Sequence, residues 1–502
     1  MKGVVAAGHP LTAEAGAAVL REGGNAVDAA VCAVLTSFAV ESPLTGFGAG
    51  GYMMVHEGGE TTLIDFFVAA PGLDRVERTA ELVPVPVHFD AETIQTFYVG
   101  PASCGVPGTA AGLAQALERF GTMPLSSLVT AGIRHAREGA PVNREQAYIL
   151  EILGPIHEHM TGTRELYAPR GQRLREGDVF RFTELAEALE RYGAEGADPF
   201  YRGEIAAAIS DFVIEHGGII GPGDLASYAA VERPPIVAPF RGTEVLTNPP
   251  PSSGGILIAY CLGLLERLGS HSGPEQLVAA MGAANDRRDL AFAEALYEEG
   301  METSFLDPAG LDLAAADLLG STTHISVLDG NGTCATVTCS NGSGSGVLVP
   351  GTGVILNNML GEEDLNPAGF HLIAPGRRVP SMMAPTVVLR EGEIVLALGS
   401  AGSNRIRSAI LQTVVRVVEQ GFPVAAAVEA PRLHFEQGLV QAEPGIDEEG
   451  LRRLEEQGLP VARRPAINLF FGGVQAVARA PLSGELSGGG DPRRGGAVAY
   501  AE

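Results

Sequence analysis

The segment from residue 321 to residue 340 constrains the fold of this 502-residue chain more than any other. Residues 321–328 are rich in β-branched side chains, and the turn sequence Asp-Gly-Asn-Gly follows at 329–332. Two of its dipeptides favour tight hairpin turns, and residues 333–340 supply a return strand. We therefore predict a β-hairpin. Because Thr322 and Ser340 lie at similar distances from the turn, we expect their hydroxyl groups to be neighbours across the two strands.

The rest of the chain alternates helices with short strands. Residues 29–40 are apolar on almost every side, which predicts a fully buried helix. Further helical patterns and two short strand patterns follow, and together they indicate a mixed α/β chain. The helical patterns cover 108–120, 124–138, 203–217 and 255–268, and the strand patterns cover 51–56 and 61–66.

The composition narrows the classes of protein that fit. Hydrophobic residues make up 45% of the chain and charged residues only 19%, which excludes a disordered chain. The net charge of −26 repels nucleic acid and anionic membranes, so we expect neither as a partner. The length fits one large layered domain or two closely joined ones.

Metal sites, cofactors and membrane spans have no support in the sequence. The five cysteines show no CxxC pair and no zinc-like histidine spacing, so we interpret them as small buried apolar residues and expect no metal. Lys2 is the only lysine, which argues against a Schiff-base mechanism, and no cofactor is indicated. The apolar runs 29–40 and 256–265 are shorter than the roughly 20 residues of a membrane span, and no targeting segment is visible. We expect a cytoplasmic protein; the alternative is export by a route that the sequence does not show.

A Gly/Ser-rich run follows a predicted strand at 393–398. The run Gly-Ser-Ala-Gly-Ser-Asn at 399–404 precedes a helical pattern that ends at Gly421. A strand, a turn and a helix N-terminus in this order collect free backbone N–H groups at one point, which favours an anion site. Such turns are also common without any ligand, so both interpretations stay open here.

Several segments occur in the order typical of one known family. They are GGNAVDAA (23–30), GVPGTAAG (105–112), FYRGEI (200–205), PPPSSGG (249–255), TTH (322–324), VPGTG with NN (349–353 and 357–358) and GGDPR (489–493). Together they resemble the γ-glutamyltranspeptidase (glutathione hydrolase) family of N-terminal-nucleophile hydrolases, and the resemblance covers nearly the whole chain. It implies a mixed α+β and α/β fold, arranged as a four-layer αββα sandwich.

The resemblance also implies a precursor that cuts itself before Thr322. The products are a large chain of residues 1–321 and a small chain of residues 322–502, intertwined in one structural domain. The implied partners are therefore the two fragments, as a heterodimer, and a small-molecule amide substrate. A higher oligomer stays open, and neither a cofactor nor a metal is implied.

The chemistry of Thr322 agrees with this. A threonine hydroxyl is a poor nucleophile unless a base accepts its proton, and a free α-amine with a pKa of about 7.7–8.0 suits that role. We expect Thr322 Oγ1 to attack the Ser321 carbonyl, and hydrolysis of the resulting ester then frees the amine. The alternative is that Thr322 is an ordinary strand threonine. We interpret His324 as a structural hydrogen-bonding residue of the strand rather than a base.

Further catalytic residues are implied by the resemblance. Ser340 stands where the family has a second hydroxyl, usually threonine, that hydrogen-bonds the nucleophile. Gly402 and Ser403 match a Gly-Gly pair whose backbone N–H groups form the oxyanion hole. A serine in place of glycine keeps the N–H but restricts φ, so we expect a differently shaped oxyanion hole.

The chain departs from the family where the family binds the α-carboxylate of the γ-glutamyl group. Phe67 stands in place of an arginine. A Ser-Ser pair becomes Ser381-Met382, so one hydroxyl is lost. These changes predict an acyl group with less charge or more apolar surface at that end. The alternative is that another cation has taken over, with Arg377, Arg378 and Arg405 as the candidates.

The family's α-amine acceptors fall on Met359 and Glu362, of which we expect only Glu362 to carry charge. The family's substrate-binding asparagine aligns only loosely with Asn341. We therefore expect glutathione to bind poorly. Three functional hypotheses follow: a self-processing Thr amidohydrolase or acyltransferase acting on a different acyl group, a genuine glutathione hydrolase or γ-glutamyltransferase with a relocated carboxylate clamp, and an unprocessed, non-catalytic homologue that binds a ligand.

Overall fold

Two antiparallel β-sheets lie face to face, and helices cover the outer side of each sheet. The structure is a computed structural model that describes residues 1–88, 94–269, 271–306 and 322–502. Ser321, the residue before the predicted cleavage point, lies outside the described residues. The order helices, sheet, sheet, helices is the predicted four-layer αββα sandwich.

The first sheet has seven strands within the described ranges. In spatial order they are β22 (Ala497–Ala501), β1 (Gly3–Ala7), β11 (Thr323–Asp329), β12 (Cys334–Ser340), β2 (Gly50–Glu57), β3 (Glu60–Phe66) and β8 (Val231–Arg233). All neighbouring strands pair antiparallel. The predicted hairpin is confirmed as β11 and β12, and the two predicted strands 51–56 and 61–66 are confirmed as β2 and β3.

The second sheet has six strands within the same ranges. In spatial order they are β21 (Leu486–Gly490), β20 (Gly473–Arg479), β16 (Glu393–Ala401), β15 (Thr386–Arg390), β10 (Thr243–Thr247) and β9 (Ile236–Phe240). Small sheets complete the strand set: β4 (Val83–His88) with β5 (Ile94–Val99), β6 (Ala140–Pro141) with β7 (Val179–Phe180), β13 (Leu348–Val349) with β14 (Val354–Ile355), and β17 (Leu433–Glu436), β18 (Leu439–Ala442) and β19 (Val461–Arg463).

The helices fall into two groups. Those on the side of the first sheet are α1 (Pro10–Arg21), α2 (Ala26–Val40), α3 (Thr109–Phe120), α4 (Leu125–Leu128), α5 (Thr130–Glu138), α6 (Arg144–Ile152), α7 (Gly154–His157), α8 (Thr161–Tyr167), α9 (Thr183–Glu195), α10 (Asp198–Tyr201), α11 (Glu204–Glu215) and α12 (Pro222–Ala226). The remaining helices, most of which pack on the second sheet, are α13 (Ser253–Leu268), α14 (Pro274–Asp286), α15 (Leu290–Ala295), α16 (Met301–Phe305), α17 (Arg405–Val414), α18 (Val424–Glu429) and α19 (Glu448–Glu456).

The predicted buried helix is α2, and every one of its residues is buried. Small and apolar side chains on all faces allow it to pack between the first sheet and the outer helices. Asn25 caps its N-terminus by accepting hydrogen bonds from the N–H groups of Val27 and Asp28. The helical patterns at 108–120, 124–138, 203–217 and 255–268 are likewise confirmed, as α3, α4 with α5, α11 and α13.

The strand before the Gly/Ser-rich run is longer than predicted. β16 continues to Ala401, so Gly399 and Ser400 belong to the strand and the turn covers only 402–404. The strand is longer because its pairing with β20 continues to Ala401. A Cβ atom at Gly399 would collide with the ring of His324 in the facing sheet. Gly399 is therefore required by the close approach of the two sheets rather than by a turn.

Both sheets contain strands from residues 1–306 and strands from residues 322–502. In the first sheet, β1 lies between β22 and β11, and β12 pairs with β2. In the second sheet, β15 pairs with β10. The described parts of the chain on the two sides of residue 321 therefore share their cores.

The remaining sequence-level expectations concern the cysteines and the apolar runs. All five cysteines are free thiols and are buried, as predicted. None of the described helices combines the length and the apolar character that crossing a lipid bilayer requires.

Candidate active site

The predicted hydroxyl pair is present at the open end of the β11–β12 hairpin. Thr322 Oγ1 lies 3.4 Å from Ser340 Oγ, and both side chains are buried. The register that pairs Thr323 with Cys339 sets the two hydroxyls opposite each other. Ser340 Oγ also accepts a hydrogen bond from the N–H of Gly342 at 2.8 Å, which orients the serine side chain.

His324 lies between the two sheets and makes hydrogen bonds through both ring nitrogens. Nδ1 is 2.8 Å from Thr338 Oγ1, and Nε2 is 3.0 Å from Ser326 Oγ and 2.9 Å from Thr336 Oγ1. Burial lowers the pKa of His324 to about 3, so the ring is neutral at neutral pH. These contacts agree with the interpretation of His324 as a structural hydrogen-bonding residue.

A buried carboxyl group that the sequence analysis missed lies on the helix-facing side of β11. Glu41 Oε2 accepts a hydrogen bond from Thr323 Oγ1 at 2.7 Å, and Oε1 accepts one from Thr12 Oγ1 at 2.7 Å. Burial raises the pKa of Glu41, whereas the two hydroxyl donors lower it. The signal in the sequence is the position of Glu41, a charged residue directly after the fully buried helix α2.

Gly402 and Ser403 form the turn that joins β16 to α17. Their φ angles are +117° and +53°, in the left-handed region that favours glycine. A Cβ atom at Gly402 would lie 2.8 Å from Cα of Gly472, so this position is also crowded. In the part of the chain that the structure describes, neither N–H group of this pair donates to another residue. Both donors are therefore available to an anion.

Two sets of hydrogen bonds, joined by short stretches of chain, link the segment after Ser340 with this turn. Ser343, three residues after Ser340, donates its N–H and its hydroxyl to Glu362 Oε1 at 2.8 and 3.1 Å. Two residues after Glu362, Asp364 Oδ2 accepts a hydrogen bond from Ser403 Oγ at 2.8 Å. Predicted site residues that lie far apart in sequence thus belong to one buried polar cluster, together with Asp364, which the sequence analysis missed.

Glu362 differs from its expected charge state. Burial and the nearby Asp364 carboxylate raise the pKa of Glu362 to about 8, so the Glu362 carboxyl group keeps its proton at neutral pH. This shift disfavours the negative charge that the sequence led us to expect at Glu362. Burial also raises the pKa of Asp364.

Asn341 presents a buried amide at the end of the hairpin. Its backbone N–H donates to the carbonyl of Leu44 at 2.9 Å, and its carbonyl accepts from the N–H of Asn358 at 3.1 Å. Neither side-chain atom, Oδ1 or Nδ2, has a hydrogen-bond partner within the described ranges, although the residue is only 1% exposed. A buried amide without partners is costly, so Asn341 is a candidate for binding a polar substrate group.

The residues at the substituted acyl-binding positions are buried. Phe67, Met359 and Met382 all belong to the apolar core around the second sheet, and the Phe67 ring stacks on Tyr52 with centroids 5.4 Å apart. Ser381 Oγ accepts a hydrogen bond from the N–H of Met383 at 3.0 Å. Its hydroxyl oxygen is therefore already engaged by the backbone.

The three candidate replacement cations all have other partners. Arg378 Nε lies 3.3 Å from Asp65 Oδ1, and its guanidinium also donates to backbone carbonyls. Arg377 lies over the ring of Tyr297, and Arg405 Nε donates to the carbonyl of Phe470 at 2.9 Å. Elsewhere among the described residues, no group of three or more His, Cys, Asp or Glu side chains is arranged to hold a metal ion.

Comparisons of the sequence with known proteins identify its relatives. The family described as Gamma-glutamyltranspeptidase matches residues 12–501. A glutathione hydrolase proenzyme of Escherichia coli (strain K12) is 33% identical over 98% of this chain and 90% of its own length. The Acylase ACY 1 proenzyme of Pseudomonas sp. (strain SE83) is also 33% identical, over 97% of this chain and 91% of its own length.

A comparison with solved structures supports the same relationship. A cephalosporin acylase from Bacillus halodurans superposes with a TM-score of 0.84 at 25% sequence identity, covering 100% of this chain and 96% of that chain. The match extends over both sheets and both helical layers, and it confirms the predicted sandwich fold.

Proposed function

Because the chain belongs to the gamma-glutamyltranspeptidase family, we propose that it is a self-processing Thr-nucleophile enzyme whose acyl substrate differs from a standard γ-glutamyl group. The general class follows from the family, whose members are N-terminal-nucleophile amide hydrolases and acyltransferases. The proposal concerns the processing step, the catalytic residues and the acyl group.

The processing step uses the same hydroxyl as the later reaction. Thr322 Oγ1 attacks the carbonyl carbon of Ser321, the C–N bond to Thr322 breaks, and an ester joins the two residues. Breaking that C–N bond already frees the α-amine of Thr322, which takes up the hydroxyl proton. Water then hydrolyses the ester, which releases a carboxylate on residue 321 and restores the Thr322 hydroxyl. The 3.4 Å contact with Ser340 supports this role, because a neighbouring hydroxyl orients the attacking oxygen.

Turnover then follows acyl-transfer chemistry. The Thr322 amine accepts the proton of Oγ1, Oγ1 attacks the substrate carbonyl, and the N–H groups of Gly402 and Ser403 stabilise the oxyanion. The C–N bond of the substrate breaks, and the leaving amine receives the proton from the Thr322 amine. Water or another amine finally accepts the acyl group from the Thr322 ester.

The observation that carries the acyl-group proposal is the fully buried ring of Phe67, stacked on Tyr52, at the position where the family has an arginine. Two further observations support it. Glu362 is protonated at neutral pH, so it provides no fixed charge for an α-ammonium group. The amide of Asn341 offers a neutral donor and a neutral acceptor. These groups suit an uncharged acyl chain with one hydrogen-bonding group.

The relatives give this proposal a substrate class to begin with. One relative is named an acylase and one structural neighbour a cephalosporin acylase. We therefore propose amides with apolar acyl groups as the first substrates to test.

Processing is tested on a denaturing gel. A processed protein gives fragments of 321 and 502 − 321 = 181 residues, whereas an unprocessed, ligand-binding homologue gives a single band of 52.1 kDa that persists on storage. N-terminal sequencing of the small fragment should begin at Thr322. Fully active protein in which residue 322 is still joined to residue 321 would contradict the mechanism.

The acyl preference is tested with chromogenic amides. Turnover of γ-glutamyl-p-nitroanilide is compared with that of p-nitroanilides carrying uncharged, apolar acyl groups of similar length. We expect kcat/KM to be higher for the uncharged series. The second candidate function, a genuine glutathione hydrolase, is favoured by the 33% identity to such an enzyme. Strong γ-glutamyl turnover would select it over our proposal.

A further inference from the structure

Ser403 occupies a backbone conformation that its side chain does not favour. Its φ of +53° lies in the left-handed region, and the preceding residue, Gly402, is at +117°. Glycine adopts such angles readily, whereas a Cβ atom makes them strained. By resemblance, the family has glycine at position 403. Such a conformation persists where contacts around the residue restrain it.

The side chain of Ser403 has one clear partner. Its Oγ donates to Asp364 Oδ2 at 2.8 Å, and both residues are less than a tenth exposed. Asp364 lies in a helical turn that is itself fixed, because Asn366 Nδ2 donates to the carbonyls of Met359 and Glu362 at 3.0 and 2.8 Å. Asp364 is therefore a rigid acceptor anchored outside the β16–α17 turn.

The same turn carries the two N–H groups that have no hydrogen-bond partner within the described residues. The carbonyl of Gly402 accepts from the N–H of Arg405, and the carbonyl of Ser403 accepts from the N–H of Ile406, so both carbonyls are fixed by α17. The N–H of Ser403 lies in the same planar peptide unit as the carbonyl of Gly402, so its direction is restrained by the hydrogen bond from Arg405 and, through the φ angle of Ser403, also by the position of the Ser403 side chain. A hydrogen bond that restrains the Ser403 side chain therefore restrains the direction of that N–H.

We infer that Asp364 is a positioning residue, which acts through Ser403 Oγ to hold the N–H groups of Gly402 and Ser403 in the geometry that stabilises the oxyanion. This inference rests on the proposed role of these two N–H groups. It assigns a function to a carboxylate that contacts neither the nucleophile nor Ser340. It also explains how this chain accommodates a serine at a position suited to glycine.

Direct substrate binding is the competing role for Asp364. The residue lines a cavity of about 360 Å³ together with Arg288, Phe292, Asn366 and Met382. A carboxylate in such a cavity would contact substrate without acting through Ser403. The two roles differ in whether the effect of changing Asp364 depends on the serine hydroxyl.

A double-mutant cycle separates these roles. The variants are Asp364→Ala, Ser403→Gly, and the two combined, each assayed for processing, kcat and KM with the best p-nitroanilide substrate. We expect Asp364→Ala to lower kcat by about 10- to 100-fold with KM nearly unchanged, since loss of one oxyanion donor costs about 10²–10³-fold and a misaligned donor costs less. In the Ser403→Gly background, Asp364→Ala should change kcat by less than about 3-fold, because glycine adopts this φ angle without the hydrogen bond to Asp364.

Two further variants keep the inference testable if Asp364→Ala folds poorly. Asp364→Asn retains an acceptor oxygen and should restore most of the activity. Ser403→Ala keeps the Cβ atom but loses the hydroxyl, so it should be less active than Ser403→Gly. Asp289→Asn, on the same cavity, is the matched control and should behave as wild type, because its side chain still caps α15.

Several results would overturn the inference. They are an equal effect of Asp364→Ala in both backgrounds, an effect confined to KM, or a Ser403→Ala variant as active as Ser403→Gly. The first two would assign Asp364 to substrate binding, and the third would remove the role of the serine hydroxyl. Failure of the proposed function is seen separately, as turnover that survives Thr322→Ala.

Discussion

The two sides of the candidate site differ in whether their buried polar groups have hydrogen-bond partners. On the hairpin side, the hydroxyls and the ring of His324 hydrogen-bond one another across β11 and β12. We call Asn341, Glu362 and Phe67 the acyl side, after their proposed role. The side-chain amide of Asn341 has no partner in the described structure, burial raises the pKa of Glu362 to about 8, and Phe67 lies in the apolar core. The polar groups on the hairpin side therefore have partners within the protein, whereas the amide of Asn341 on the acyl side has none among the described residues.

This difference suggests separate roles, with the hairpin side suited to the reaction and the acyl side suited to selecting the substrate. A nucleophile must be held in one geometry before the substrate arrives, so paired hydroxyls on a hairpin suit that role. A binding surface can leave polar atoms unpaired, because the substrate supplies their partners. A chain with an intact hairpin side and an altered acyl side is thus expected to keep the reaction and change the acyl group.

The largest effect should come from the hairpin side. Thr322→Ala removes the oxygen that we propose as the nucleophile, so the chain should stay uncut and turnover should fall by at least about 10³-fold. A denaturing gel and an assay with the best p-nitroanilide measure both outcomes. Thr323→Ala is the matched control, since Thr323 points to Glu41 on the opposite face of β11, and this variant should be cut. An uncut Thr323→Ala together with a cut Thr322→Ala would reverse the assignment.

The next largest effect concerns the charge of Glu362. The folded protein keeps the Glu362 proton up to a pKa of about 8, whereas an unfolded chain releases it near 4.5. The contribution of this group to stability is therefore fully present below pH 4.5 and is lost as the pH rises through about 8. At about 1.4 kcal/mol per pH unit, the loss amounts to a few kcal/mol.

Glu362→Gln has no proton to lose and should abolish this contribution. Urea unfolding of both proteins at pH 5 and pH 9 measures it. The free energy of unfolding of the variant, relative to wild type, should rise by a few kcal/mol between the two pH values. An unchanged difference between the two proteins would mean that Glu362 is already ionised at neutral pH.

A substitution at Asn341 tests the proposed contact between the acyl side and the substrate. Asn341→Leu replaces an unpartnered buried amide with an apolar side chain of similar size. It should raise the free energy of unfolding by about 1–3 kcal/mol, because the desolvated amide is removed. It should also lower kcat/KM by about 3- to 10-fold, the equivalent of one neutral hydrogen bond. A less stable variant with unchanged kcat/KM would assign Asn341 a structural role.

Local sequence patterns were sufficient to predict the hairpin that carries Thr322, the proposed nucleophile. β-Branched residues on both sides of an Asp-Gly-Asn-Gly turn specify the hairpin, and the register follows from the turn, so Thr322 and Ser340 could be placed together. The uniformly apolar run of α2 specified its burial. These features depend on neighbours within about 20 residues.

Other features depend on contacts that are distant in sequence. The role of Gly399 depends on the His324 ring in the opposite sheet. Glu41 receives a hydrogen bond from Thr323, 282 residues away. The charge state of Glu362 depends on the depth of its burial. Local patterns contain no information on such contacts, which explains why Glu41 and Asp364 were missed and why Glu362 was assigned a charge.

The smallest expected effect lies behind the hairpin. Thr12→Val removes one of the two hydroxyl donors to the buried Glu41 and leaves the bond from Thr323 in place. It should lower the free energy of unfolding by about 1 kcal/mol, because one carboxyl oxygen loses its partner. It should leave kcat unchanged, since Thr12 contacts neither the hydroxyl pair nor the β16–α17 turn. Urea unfolding and the p-nitroanilide assay measure the two quantities, and Thr12→Ser, which retains the hydroxyl, is the control. A fall in kcat with Thr12→Val, restored by Thr12→Ser, would extend the catalytic hydrogen-bond network through β11 to its helix-facing side.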